Sequence, residues 1–168
     1  MEYLIFSDSH GKTEGMGLAL SRQITRPRGI LFAGDGLRDM ARLDCGGIGT
    51  DCVCGNCDLF SAPDLYAPDE LLLPIEGHLL LLTHGHTLGV KSGLGRLILR
   101  AAELGADIAV FGHTHEPFYE TVPEGTSVGF APLSRTLHLF NPGSIGHGGS
   151  FGVLTLKDGA VLLSHGRV

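Results

Sequence analysis

The 168-residue sequence reads as one α/β domain, residues 1–168. Three observations lead there. The first half alternates short apolar runs with stretches of helical periodicity, the second half is patterned almost wholly as β segments, and the length suits one ordinary domain. With 43 % hydrophobic and 18 % charged residues, the chain has enough apolar surface to offset its conformational entropy, which excludes a disordered protein. Twelve basic against eighteen acidic residues give a formal charge of −6. No basic patch is therefore available to displace counterions from a nucleic-acid backbone, and any phosphate must be gripped locally. The opening MEYLIFSDSH has no basic leader, and no apolar run approaches the roughly 18 residues of a membrane helix. Neither nucleic acid nor membrane is expected as a partner, the expected location is cytoplasmic, and a homo-oligomer is compatible with the composition.

The elements follow in order. Glu2–Phe6 is a strand, succeeded by a polar, glycine-containing loop over residues 7–12. Met16, Leu20 and Ile24 recur at a helical interval and predict a helix closed by Pro27. A second strand over 30–33 runs into Gly34 and Asp35, after which Leu37, Met40 and Ala41 predict a short amphipathic helix. Beyond the glycines at 46–49, residues 51–54 read as a third strand that stops at Gly55 and Asn56. Residues 71–75 and 79–83, joined through Glu76 and Gly77, make a hairpin whose second arm leads into His84. Ser92 as N-cap and Gly105 just past the end bracket a helix with Leu94, Leu97, Ile98, Ala101 and Leu104 on one face. Residues 108–111 form a buried strand ending at Gly112 and His113, and no helical pattern separates the β segments near 117–122, 127–131 and 136–140. A last hairpin, 151–156 with 160–164, turns on Asp158 and Gly159.

Five of these strands end in a short polar motif: Asp8 with His10, Asp35, Asn56, His84, and the GHTH run that holds His113 and His115. In an open α/β sheet, loops at the carboxyl ends of strands share one crevice, so residues far apart in sequence converge there. The set comprises two carboxylates, one amide and four imidazoles. Such a mixture of oxygen and nitrogen donors suits manganese first, with nickel, cobalt, iron or zinc also compatible, over magnesium or calcium. Seven donors exceed the needs of one ion. Two divalent ions roughly 3.5 to 4 Å apart, sharing one carboxylate, use them all and leave positions for water and substrate. Gly34, Gly55, Gly85 and Gly112 each adjoin a candidate ligand, where a missing Cβ lets the backbone come close.

In the runs FSDSHG (6–11), GD (34–35), GNCD (55–58), THGH (83–86), GHTH (112–115) and NPGS (141–144), the sequence resembles the calcineurin-like metallophosphoesterases, in particular their YfcE-type phosphodiesterase subgroup. The resemblance implies a metallophosphoesterase-like β-sandwich flanked by helices, in αββα layers. It also implies that Asp8, His10 and His115 hold one metal, Asn56, His84 and His113 the other, and Asp35 both. Asp35, Asn56 and His84 are then the catalytic residues, and a hydroxide bridging the metals attacks a small phosphodiester substrate. Cys57 stands where many members carry a histidine that resembles a leaving-group acid, so Cys57, Asp58 and His86 are the candidates for the substrate side. The segment IGHGG at 145–149 lacks the proline and basic residue expected there in close relatives.

Other residues carry weaker signals. His86 is either a partner of the ligands or a solvent-facing side chain, and Asn141 to Ser144 reads as a structural turn. His78, His138, His147 and His165 have no motif around them and receive no role. Cys45, Cys52, Cys54 and Cys57 are read as buried or site-lining thiols rather than a zinc or redox site, since no helical pattern follows Cys57. A rival to the enzyme reading is a partner-binding scaffold of the same fold with little catalysis, as in a retromer subunit. The complete set of seven competent donors favours the enzyme.

Overall fold

A computed structural model describes residues 1–168. Its elements are β1 (Glu2–Phe6), α1 (Glu14–Ser21), β2 (Gly29–Phe32), α2 (Leu37–Arg42), β3 (Thr50–Cys52), α3 (Asp58–Ser61), β4 (Glu70–Ile75), β5 (His78–Thr83), α4 (Gly95–Leu104), β6 (Ile108–Val110), β7 (Pro117–Val122), β8 (Ser127–Val128), β9 (Ala131–Pro132), β10 (Leu137–Pro142), α5 (Ile145–Gly148), β11 (Ser150–Lys157) and β12 (Ala160–Arg167). They form two five-stranded sheets, ordered β12-β11-β1-β2-β3 and β4-β5-β6-β10-β7, with β8 and β9 as a separate small ribbon. Strands β1, β2 and β3 run parallel in the first sheet, as do β5, β6 and β10 in the second.

The two-residue period of a strand explains the layering. Tyr3, Ile5, Leu31 and Ala33 point inward and meet Leu80, Leu82, Ile108, Val110 and Phe140 of the opposite sheet. The alternate residues Leu4, Phe6, Ile30 and Phe32 face outward onto Met16, Ala19, Leu37, Met40 and Ile145. On the far side, Leu81, Ala109 and Leu139 pack against Leu97 and Ala101 of α4. Both faces of the parallel strands are thus covered, which is why their sequences are unbroken apolar runs rather than alternating ones. The αββα expectation matches this architecture.

Several local expectations are corrected. Helix α1 ends at Ser21, so Ile24 lies outside it and is fully exposed, because the chain turns towards Pro27 before a further helical turn can form. Ser92 is not the N-cap of α4; the first helical residue is Gly95 and no side chain caps that end, whereas Gly105 does close it with φ 69°. The segment 127–131 is a tight turn between two two-residue strands, not one strand. A helix does follow Cys57: the single turn α3, too short to show any periodicity. Finally, the strand-end loops do not belong to one open sheet. They come from both sheets of the sandwich, whose parallel strands deliver their carboxyl ends to the same edge.

Candidate metal centre

Of seven non-glycine residues with positive φ, Glu76 and Asp158 sit in hairpin turns; the other five are Asp8 (56°), His10 (46°), Asp35 (59°), His113 (69°) and His115 (65°). Each such conformation costs about 1–3 kcal/mol for a residue with a Cβ and is sustained only by surrounding structure. The strain is concentrated where the β1, β2 and β6 loops meet.

Those loops are locked to one another. Asp8 is fully buried; its Oδ2 accepts from Ser7 Oγ at 2.6 Å and from His113 N at 3.1 Å, while its backbone N–H donates to Gly34 O at 2.9 Å. Asp39, also buried, accepts from Ser9 Oγ at 2.6 Å and Gly11 N at 2.7 Å, holding the turn that carries His10. Asn141 donates to Gly112 O at 2.8 Å and Thr114 Oγ1 at 3.0 Å, which positions the GHTH loop and agrees with its structural reading. The backbones also come very close at Gly55, where a Cβ would stand 2.1 Å from Asp35 Oδ1. No side chain fits between the two loops.

Asp58 has a different place from the one expected. It is 1 % exposed and accepts four backbone N–H groups, from Asp35 (2.8 Å), Gly36 (2.9 Å), Leu37 (2.9 Å) and Gly55 (2.9 Å). With both oxygens committed, it has nothing to offer a substrate. It is the clamp that fixes the Asp35 loop.

The remaining candidates converge. His10 Nε2 and His115 Nε2 are 3.2 Å apart, and Asp8 Oδ1 lies 3.2 Å from the latter and 3.7 Å from the former. His84 is fully buried, and its Nδ1 donates to Ala33 O at 2.6 Å, leaving Nε2 as the lone-pair nitrogen, 3.4 Å from Asp35 Oδ2. The His84 ring centroid is 5.0 Å from that of His113 and 5.4 Å from that of His86. His86 therefore joins the cluster instead of facing solvent. Asp35 Oδ1 accepts from Cys57 N at 2.7 Å, and Asn56 Nδ2 donates to Cys57 Sγ at 3.4 Å.

Electrostatics distinguish the two carboxylates. Burial raises Asp8 despite the neighbouring His84, Ser7 and His115. Burial also acts to raise Asp35, but the neighbouring His84 imidazole and the Cys57 amide outweigh it and hold Asp35 well below the usual carboxylate range. Burial, then His84, pushes His113 down to about 4. Burial, followed by the adjacent Asp35, lifts the Cys57 thiol to about 11. The other three thiols are raised as well, all four are free, and no metal-capable group combines two of them; Cys57 alone joins one, with His10 and Asp35.

Four buried side-chain atoms have no hydrogen-bond partner: Asp8 Oδ1, Asn56 Oδ1, His84 Nε2 and His86 Nδ1. All four belong to this cluster. Leaving a buried polar atom unpaired costs about 1–3 kcal/mol, and a cation is the partner that lone pairs of this kind accept. Groups such as Asp8, Asp35 and His84 offer donor atoms within 4.8 Å of one another. The residues present therefore fit divalent metal. A cleft of about 340 Å³ opens beside them, lined by His10, Asp35, Arg38, Arg42, Cys57 and Ser61 among others. Arg38 and Arg42 were not legible as site residues from the sequence; their only signal is their place three and seven positions after Asp35 on α2. His147 was likewise unassigned, yet its ring centroid is 5.3 Å from that of His10.

This arrangement of strained strand-end loops around a polar cluster is that of a metal-dependent phosphoesterase. The chain belongs to the calcineurin-like phosphoesterase superfamily, whose domain model matches residues 1–164. It is 33 % identical over 165 residues to the probable metallophosphoesterase YsnB of Bacillus subtilis, covering 95 % of this chain and 87 % of that one. Its fold is also that of a Vps29 single mutant from Entamoeba histolytica (TM-score 0.70, 19 % identity, 100 % and 99 % of the two chains). A structure described as a novel archaeal phosphodiesterase matches with TM-score 0.67 at 17 % identity over 98 % and 99 % of the chains. No helix is long and apolar enough to cross a membrane.

Proposed function

We propose that this chain is a phosphodiesterase working with two divalent transition-metal ions, manganese first, in one catalytic domain spanning residues 1–168 and located in the cytoplasm. The observation that carries the reading is the trio of buried, unpartnered atoms on three of the proposed ligands: Asp8 Oδ1, Asn56 Oδ1 and His84 Nε2. Asp8, His10 and His115 are assigned to one ion, Asn56, His84 and His113 to the other, and Asp35 to both. Bound there, the ions supply an activated water nucleophile and positive charge for the phosphoryl oxygens.

The protein's own residues orient and screen. Asp58 and the Cys57 amide hold Asp35 in place from behind, and the Ala33 carbonyl sets the tautomer and ring angle of His84. Arg42, on the cleft wall next to an Arg38 already paired with Asp64, draws an anionic substrate into a protein that is otherwise acidic. Cys57, with its thiol raised to about 11, is a weak acid beside the reacting centre. A departing oxygen thus receives little help from this side, which favours diesters with stable leaving groups over alkyl monoesters. A partner-binding scaffold would share the fold and could hold metal as well; metal-dependent turnover is what separates the two readings.

The test compares bis(p-nitrophenyl) phosphate with p-nitrophenyl phosphate on protein stripped by chelation and reloaded with manganese. The expected result is a higher kcat/KM for the diester, dependent on metal. A preference for the monoester, or hydrolysis unaffected by chelation, overturns the proposal.

A further inference from the structure

His147 lies outside the seven-residue set, on the short helix α5. Several bonds fasten that turn of helix to the centre. Ser144 Oγ donates to Asp8 O at 2.7 Å and accepts from His147 N at 3.0 Å. Gly146 N donates to Asp8 O at 3.2 Å, and a Cβ at Gly146 would stand 2.2 Å from Ser9 O, so only glycine lets α5 settle this close. Lys12 Nζ donates to Gly146 O at 2.8 Å and secures the other side of the turn.

The consequence is a cluster of three imidazoles. The His147 ring centroid lies 5.3 Å from that of His10 and 5.6 Å from that of His115, with the latter pair nearly parallel at 11°. One ring nitrogen of each of the three histidines lies within 4.8 Å of the other two. Nitrogen donors bound to one ion at about 2.1 Å stand roughly 3 to 4 Å apart, so a small side-chain adjustment brings the third into range. Metal-binding histidines commonly donate their other ring N–H to an oxygen. Ser144 Oγ, 3.4 Å from His147 Nδ1, is placed to accept it and leaves Nε2 free.

We propose that His147 is an additional nitrogen donor to the ion assigned to Asp8, His10 and His115. This rests on the metal-centre reading above and extends it. Three imidazoles and a carboxylate make that half of the centre richer in nitrogen than the half built on Asn56, His84 and His113. It should therefore favour cobalt, nickel or zinc over magnesium more strongly.

The test uses the full chain, stripped of metal and titrated calorimetrically with cobalt or manganese, as wild type, His147→Ala and His147→Gln, with His138→Ala as a remote control. Unfolding midpoints of the metal-free proteins check that each variant folds. In the wild type two binding events are expected. In His147→Ala one of them should weaken about 10- to 100-fold while the other stays, and the visible spectrum of the cobalt-loaded protein should change. His147→Gln should shift in the same direction and His138→Ala should not. Unchanged affinities and an unchanged cobalt spectrum in His147→Ala overturn the inference while leaving the metal centre standing. So does a rise in KM for the diester with metal affinity intact, which would place the imidazole on the substrate instead. A wild type that binds no transition metal overturns both.

Discussion

Replacing Asp58 by asparagine keeps the shape of the side chain and turns one acceptor oxygen into a donor. Oδ1 accepts from Gly36 and Leu37, and Oδ2 from Asp35 and Gly55, so whichever oxygen is replaced, two N–H groups lose their acceptor. A hydrogen bond to a charged group contributes about 1.5–3 kcal/mol, so the loss of two costs about 3–6 kcal/mol. That is a large share of the roughly 5–15 kcal/mol that stabilises an ordinary domain. At about 2–4 °C per kcal/mol for a chain of this size, the unfolding midpoint of Asp58→Asn should fall by roughly 6–24 °C. Circular-dichroism melts and urea titrations of metal-free protein measure it, and the folded variant should bind metal more weakly because the Asp35 loop is no longer held. A midpoint within about 2 °C of the wild type, with metal affinity intact, would refute the assignment of Asp58 as the clamp.

Other consequences are independent of that one. Asp35→Asn should lower metal content and turnover together, and more severely than Asn56→Ala, as elemental analysis and rate measurements on both variants will tell; two ions per chain and normal turnover in Asp35→Asn would remove it from the bridge. A plot of log kcat/KM against leaving-group pKa should be steep for the wild type, nearly unchanged for Cys57→Ala and flatter for Cys57→His, since the weak thiol lends the departing oxygen little. A shallow wild-type slope would mean that another group supplies the proton. Far from the centre, burial would raise Asp107, but its bonds from Leu79 N (2.8 Å), His78 Nδ1 (2.8 Å) and Arg135 (3.2 Å) hold it below its ordinary value. A carboxylate depressed on folding contributes stability that is complete above its unfolded value near 3.9 and lost as pH falls through the folded one. Asp107→Asn should be less stable at neutral pH and lose less on acidification below about pH 4; parallel stability-against-pH curves would contradict this.

What the sequence made legible followed from local chemistry. The β4–β5 hairpin appears where expected because Glu76 and Gly77 adopt the positive φ values, 48° and 82°, that a two-residue turn needs. Buried strands were legible as unbroken apolar runs, and Gly105 as a helix end. What stayed hidden depends on partners distant in sequence. Helix α3 is one turn long, and its first residue, Asp58, is engaged by amides from residues 35–37; no periodicity announces it. Asp58 follows Cys57 in the motif and so looked like a neighbour of the substrate, yet the backbone turns it inward. His147 had no motif because its meaning lies in Ser144 and Gly146 reaching Asp8, 136 and 138 positions away. Local signals mark where strands and turns fall; which side of a loop faces the chemistry is decided by the other sheet.

The most direct test of the account is a stoichiometric titration of metal-free protein with manganese, following p-nitrophenolate release from bis(p-nitrophenyl) phosphate. The proposed set of seven donors, with Asp35 assigned to both ions, predicts that activity rises with added metal and reaches its plateau at two ions per chain. A plateau at one ion, turnover in the metal-free protein, or no turnover at any loading would contradict it.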